Sequence, residues 1–289
     1  MARLIRYLVT LGTVALAGYV LADMFNDYLF HPWTRDGHVR AQVIKITPRV
    51  SGPIVELPVS DNQAVRKGDL LFRIDPRTYE LAIEQAEAKL KQARASAVVS
   101  LDQATRARDL HKRDKGAISE QSLTRKENNL LVSEADVDVA RANLHAAQLD
   151  LEFTEVRAPV DGYITNLKLR QGTQTVANQP ALALIDTASF WVHGFFKETQ
   201  IRNVRSGNQA VIKLMTYPDQ PLDGIVENMG WGISQQDGQS DADLLPTINP
   251  TFDWIRLAQR IPVRIRLTRV PEDVTLRVGT TASVFITTE

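Results

Sequence analysis

The stretch VSGPIVELPVSDNQ at 50–63 is written again, nearly unchanged in its apolar pattern, as VDGYITNLKLRQG at 160–172. This internal repeat constrains the fold more than any other feature, because each copy is too short to bury its own apolar face. Val50, Gly52, Ile54, Leu57 and Val59 match Val160, Gly162, Ile164, Leu167 and Leu169. Further on, Val65, Leu71, Ile74 and Asp75 align with Val176, Leu182, Ile185 and Asp186 if one residue is inserted in the second copy. Alternation at period two marks strands. Both copies break it with a three-residue step, Ile54 to Leu57 and Ile164 to Leu167, which predicts a bulge or corner at a shared place. Asn62 stands in the slot of Gly172, and Gly68 and Asn178 fall within one position of each other. These residue types predict positive φ at both turns.

Two such copies facing each other make a small β-sandwich with pseudo-twofold symmetry. The pattern resembles the biotinyl/lipoyl-carrier fold, in which a lysine on a tight hairpin between the halves takes the cofactor. Here the chain between Asp75 and Val156 reads as helix instead. No cofactor is therefore expected, and no carrier role in acyl or carboxyl transfer.

The insert has the signature of a helical hairpin. Asp75-Pro76 starts a helix, with an acceptor followed by proline at the first turn. Neither proline nor glycine occurs from Thr78 to Lys115. Tyr79, Ile83, Ala86, Leu90, Ala93, Ala97, Ala104 and Ala107 form one apolar row in three- and four-residue steps. Gly116 ends this helix, and Ser119 caps the next, with Glu120 near its positive end. The second helix carries a seven-residue row, Leu123, Leu130, Val137, Leu144 and Leu151, flanked by Ser133, Ala140 and Ala147. A sustained heptad predicts a left-handed coiled coil, and the short connection makes it antiparallel.

The amino terminus sets the compartment. Arg3 and Arg6 precede an apolar run from Tyr7 to Ala22. As a helix, Tyr7 to Phe25 would span roughly 28 Å, close to the hydrocarbon thickness of a bilayer. The basic end stays cytoplasmic, and Phe25, Tyr28, Phe30 and Trp33 form an aromatic belt. Ala15-Leu16-Ala17 also resembles a signal-peptide cleavage site, so retention and removal both stay open. Either way the remainder is exported.

Beyond Phe190 the chain reads as short strands closing a small β-barrel, joined by the incoming segment at Val39 to Ile46. WVHGFF looks buried on both sides, and KETQIRNV reads as a short helix. In VRIRLTRV, Val263, Ile265 and Leu267 point inward while Arg264 and Arg266 point outward.

Composition excludes several kinds of chemistry. With 34 basic and 34 acidic residues the formal net charge is zero, so no global field invites nucleic acid. The absence of cysteine removes disulfides and thiolate metal sites. The histidines at 31, 38, 111, 145 and 193 have no metal-ligand spacing. No P-loop occurs, and no nucleophile–base pair stands out, so the chain is not expected to be an enzyme or to hold a metal.

The order of parts, membrane anchor, half sandwich, helical hairpin, half sandwich and β-rich tail, resembles the HlyD-type membrane fusion proteins, the periplasmic adaptors of tripartite pumps. Three stretches narrow the resemblance: HPWTRDGHVRAQVIKITPRVSG (31–52), FFKETQIRNVRSGNQAVI (195–212) and NPTFDWIRLAQRIPVRIRL (249–267). They look like the AaeA-like branch, with the EmrA-like branch next. The resemblance implies a single-pass inner-membrane protein whose bulk lies in the periplasm. Its implied partners are an inner-membrane transporter and an outer-membrane channel of TolC type. It also implies a ring of copies, a hexamer in the family, and aromatic carboxylic acids such as p-hydroxybenzoate as cargo. The expected domains are 1–27 anchor, 28–46 linker and first barrel strand, 47–75 and 156–188 lipoyl-like halves, 76–155 hairpin, and 189–289 barrel. Multidrug efflux is the alternative, protein secretion a more distant one. The family's channel-contacting Arg, Leu and Ser at the hairpin tip carry over onto Arg108 and Ser119. Lys112 stands where the leucine is expected and Leu110 lies two residues earlier, so the match is partial, with Gly116 in the turn. Arg256, Arg260, Arg264, Arg266 and Arg269 form a local basic cluster, read either as a solvated strand face or, through the first four, as a surface for a partner or anionic cargo.

Overall fold

The computed structural model describes residues 10–19, 32–232, 258–271 and 273–288. Residues 10–19 are helical (α1); the rest of the expected membrane anchor and Arg256 lie outside the described residues. Among the described residues no helix is long and apolar enough to cross a membrane. The chain divides into two units, one formed by Val43–Thr187 and the other by the flanking segments up to Gln42 and from Ala188.

The first unit holds the repeat. Its strands are β2 (Val43–Ile46), β3 (Gly52–Glu56), β4 (Ala64–Val65), β5 (Leu70–Ile74), β6 (Glu155–Arg157), β7 (Gly162–Thr165), β8 (Gln174–Thr175) and β9 (Leu182–Asp186). They form two four-stranded sheets, ordered β2-β9-β7-β4 and β6-β5-β3-β8. The two copies do not face each other as separate halves. Each sheet takes two strands from each copy, so the copies are interlocked.

The symmetry between them runs at a constant shift of 110 residues. Gly52 pairs with Thr175 and Pro53 with Gln174, while Gly162 pairs with Val65 and Tyr163 with Ala64. Ile54 sits opposite Ile74, and Ile164 opposite Leu184. The Gly172 amide donates to the Ile54 carbonyl at 2.8 Å, and the Asn62 amide to the Ile164 carbonyl at 3.0 Å. The inserted residue inferred from sequence is therefore absent. Thr175, 4 % exposed, occupies the place of Val65, whereas Val176 is 48 % exposed. The hydroxyl explains this: the Thr175 Oγ1 donates to the Gly52 carbonyl at 2.9 Å, so its polar atom is satisfied where it is buried. Asn62, Gly172, Gly68 and Asn178 all have positive φ, at 61°, 86°, 92° and 63°. The shared phase break takes two forms. The β3–β5 register slips between Ile54 and Glu56, while β7 stops before Asn166, whose φ is 57°.

Both copies supply one core. Ile54, Leu71, Phe72 and Ile74 meet Ile164 and Leu184, all 1 % exposed or less. Each such side chain contributes about 1.5–3 kcal/mol of burial free energy.

The hairpin leaves this sandwich as α2 (Arg77–Arg113) and returns as α3 (Glu120–Glu152). Pro76 precedes the first helical residue, and Asp75 accepts from the Arg77 amide at 3.1 Å and from its guanidinium. The hydrogen-bonded Arg77 guanidinium holds the Asp75 carboxyl below its ordinary value. Ala86, Leu90, Ala104 and Ala107 of α2 are buried, as are Leu130 and Ala140 of α3. Small residues on α2 let the backbones approach, and Ser100 and Ser133 meet hydroxyl to hydroxyl at 2.8 Å across the seam. At 1.5 Å per residue α2 is about 55 Å long.

The second unit is a closed barrel of β1 (Trp33–Arg40), β10 (Trp191–Lys197), β11 (Gln209–Leu214), β12 (Tyr217–Met229), β13 (Arg260–Leu267) and β14 (Thr281–Thr287). The strand order is β1-β10-β13-β12-β11-β14, with β14 closing onto β1. Closure gives every strand of the barrel a neighbour on both sides. Alternate residues such as Val39, Val192, Phe196, Ile212, Val263, Ile265 and Ile286 fill it. Of the incoming segment only Trp33–Arg40 joins the barrel; Val43–Ile46 pairs with β9 in the sandwich. WVHGFFK alternates strictly rather than being buried on both faces. KETQIRNV is a turn followed by a short 3₁₀ helix at Ile201–Asn203.

Candidate functional site

Two places carry the expected functional residues, the hairpin tip and the outer face of the barrel. At the tip, α2 ends on Asp114, whose Oδ1 accepts from the Gly116 amide at 2.8 Å. Ser119 caps α3 by accepting from the Ser122 amide at 3.3 Å. Leu110, 46 % exposed, and Lys112, Gly116 and Ser119 are solvent-facing around this turn. Arg108 is set back from them. Its Nε donates to Glu127 on α3 at 2.7 Å, which ties the two helices together just below the turn. Both partners are partly exposed, so the pair contributes about 0–1 kcal/mol. The tip thus presents the apolar Leu110, with Ala117 and Ile118 in the turn beyond it, beside an arginine that is already engaged.

On the barrel, the basic residues of β13 do not act as a uniform positive strip. Arg260 pairs with Asp36 of β1, reaching across β10. Arg264 lies 2.7 Å from Glu227 of β12 and stacks over the Trp191 ring at 4.2 Å. Arg266 is exposed. The residues that sequence reading missed are those around which the arginines are arranged. Trp191, His193 and Phe195 point outward from alternate positions of β10. His193 meets Trp191 and Phe195 edge to face at 5.9 and 6.2 Å, and His38 of β1 meets Phe195 at 6.1 Å. Burial, then the Arg40 and Arg264 charges, holds the His193 imidazole below its ordinary value. The period-two spacing of Trp191, His193 and Phe195 was the available signal.

Among the described residues no group of three or more His, Asp or Glu side chains could hold a metal ion.

Residues 42–187 match the family model for the barrel-sandwich hybrid domain of RND membrane fusion proteins, and residues 189–287 match the AAEA-like beta-barrel domain. The chain is 42 % identical over 285 residues to YdhJ, an uncharacterized protein of Escherichia coli (strain K12), with 98 % of each chain covered. The fold is similar to that of the membrane fusion protein Spr0693 from Streptococcus pneumoniae R6. That likeness has a TM-score of 0.64 at 17 % identity, over 88 % of this chain and 98 % of that one. It is also similar to MacA from Actinobacillus actinomycetemcomitans, with a TM-score of 0.54 at 21 % identity, over 89 % of this chain and 78 % of that one. The interlocked sandwich, its inserted hairpin and the closed barrel belong together: this chain is a member of the membrane fusion protein family, the periplasmic adaptors of RND-type efflux pumps.

Proposed function

We propose that this protein is the adaptor of a tripartite pump that exports aromatic carboxylic acids such as p-hydroxybenzoate. The observation that carries the reading is the interlocked sandwich with an antiparallel hairpin projecting from between the two copies. A rigid body bearing a long, thin, otherwise solvated rod has the form needed to bridge two partners. The apolar N-terminal segment holds the protein in the inner membrane, with its basic end in the cytoplasm and the bulk of the chain in the periplasm. The barrel meets the inner-membrane transporter, and the β13 arginines Arg260, Arg264 and Arg266 lie toward that partner or the cargo; Arg256, expected to join them, is outside the described residues. The tip residues Leu110, Lys112, Gly116 and Ser119, backed by Arg108, dock on an outer-membrane channel of TolC type. Copies assemble side by side into a ring, a hexamer in the family's manner, that seals the path of the cargo. The function is geometric rather than catalytic.

The aromatic-acid cargo is supported by the match of residues 189–287 to the AAEA-like barrel. Two measurements test the reading. A photo-crosslinking amino acid at Leu110 or Ser119 is expected to capture an outer-membrane channel in cells, while one at Arg266 captures an inner-membrane protein. Deletion of the gene is expected to sensitise cells to aromatic acids, and re-expression to restore tolerance. Capture of only soluble periplasmic proteins, together with unchanged sensitivity, would refute the proposal.

A further inference from the structure

Beside Arg260 the barrel contains a cleft. It lies at the start of β1, has a volume of about 350 Å³, and is lined by Trp33, Arg35, Asp36, Phe195, Lys197 and Arg260. That volume falls in the ~300–1,000 Å³ range of small-molecule sites.

The cleft is built by a distortion of the strand. Between Thr34 and Gly37 the β1–β14 register slips, so that β1 carries one residue more than its partner. The Thr34 side chain turns inward and donates to the Phe195 carbonyl at 2.8 Å, while its oxygen accepts from the Asp36 amide at 3.1 Å. A regular strand would send Arg35 and Asp36 to opposite faces. The bulge sends both outward, to the same side as the Phe195 ring.

The charges are unbalanced in a particular way. Among the described residues of the lining Asp36 is the only carboxylate, and it is engaged by Arg260 and by His38 at 3.2 Å. Arg35 stacks over Trp33 at 5.5 Å. Among the described residues, neither Arg35 nor Lys197 has a carboxylate within ion-pair distance. Two rings therefore stand beside two cations that, among the described residues, have no carboxylate partner. The Phe195 ring is itself held by the edges of His38 and His193, so the aromatic wall is formed in advance.

We infer that this cleft binds an aromatic carboxylate, its ring against Trp33 and Phe195 and its carboxylate on Arg35 and Lys197. An inorganic anion would engage the cations and leave the rings unused; an uncharged ring would leave the cations unused. A flat ring with a carboxylate on its rim uses both. The inference rests on the adaptor reading only for the source of the ligand, which would be cargo met on the way to the pore.

The test is calorimetric titration of the full-length chain in detergent with sodium benzoate, cyclohexanecarboxylate, benzyl alcohol and inorganic phosphate. Saturable benzoate binding is expected, with the other three weaker. The double substitution Arg35→Gln and Lys197→Gln is expected to weaken benzoate about tenfold or more, the loss of a charge-assisted contact. Both side chains are exposed, so an unchanged unfolding temperature shows that the barrel is intact. Phe195→Leu is expected to weaken benzoate while leaving phosphate unaffected. No saturable benzoate binding, equal binding of phosphate, or undiminished binding by the double variant overturns the inference. Restored aromatic-acid tolerance in cells by a chain that binds no benzoate overturns the site and leaves the adaptor function standing. Benzoate binding without restored tolerance supports the site and counts against the export reading.

Discussion

Truncating Ile54 to alanine should loosen residues more than a hundred positions away in sequence. Ile54 is 1 % exposed in the sandwich core, and its symmetry mate Ile164 is fully buried. Removing three buried carbons forfeits about 2.4 kcal/mol of transfer free energy at ~0.8 kcal/mol per carbon. The residual cavity brings the expected loss to about 3–4 kcal/mol for either Ile54→Ala or Ile164→Ala, within the range for large-to-small core changes. Strand exchange dictates where the loss appears. The Ile54 carbonyl accepts from the Gly172 amide, and the Ile54 amide donates to the Thr173 carbonyl. The mirror contacts join Ile164 to Asn62 and Gln63. Hydrogen exchange followed by mass spectrometry reads this directly, because local opening free energies are resolved by segment. In Ile54→Ala, peptides covering 162–175 should exchange faster together with those covering 52–75, while the barrel peptides stay protected. In Ile164→Ala the pattern should be the same with the copies exchanged. Faster exchange confined to the mutated copy, or losses differing severalfold between the two variants, would refute the single interlocked core.

Gly162→Ala should be the harsher of the two symmetric glycine substitutions. Its new Cβ would lie 2.3 Å from the Ile185 carbonyl oxygen, whereas at Gly52 the obstacle is the Ile74 Cγ2 at 2.5 Å. Backbone cannot yield as a side-chain methyl can, so thermal unfolding should drop further for Gly162→Ala than for Gly52→Ala. In the hairpin, Ala104→Leu puts a large side chain at a fully buried seam position, and overpacking should cost about 1–3 kcal/mol, read as a lower helix melting temperature. His193 titration by NMR should have its midpoint below the free-histidine value near 6.5. With the folded value depressed, the unfolded chain binds more protons between that midpoint and about 6.5, so barrel stability should fall as pH drops through this window. Arg264→Gln, by removing one of the repelling charges, should move the midpoint upward.

The helical rows were legible because period 3.6 and period 3.5 leave a one-dimensional trace. Ala86, Leu90, Ala104 and Ala107 recur on one face wherever the hairpin packs, and that is the face found buried. The positive φ at Asn62, Gly172, Gly68 and Asn178 was equally readable, since only a few residue types adopt that conformation without strain. The register of the repeat misled at one point. A hydrophobicity match favoured Val176 as the mate of Val65, whereas Thr175 takes the place by hydrogen-bonding to the Gly52 carbonyl, a contact made across 123 residues. The tip was partly readable: Ser119 as a cap follows from local chemistry, but the pairing of Arg108 with Glu127 needs the second helix beside the first.

Period, turn chemistry and repetition are local, so the chain alone specifies two like β segments, a long helical hairpin between them and a strand-rich tail. Which strands pair is not local, because hydrogen bonds between backbones carry no residue identity. Folding therefore decided that each sheet draws on both copies, that Val43–Ile46 leaves the barrel for the sandwich, and that Arg260 and Arg264 meet Asp36 and Glu227. The same holds for the cleft beside Trp33. Its cations and rings come from three strands that a one-residue bulge and barrel closure bring to one side.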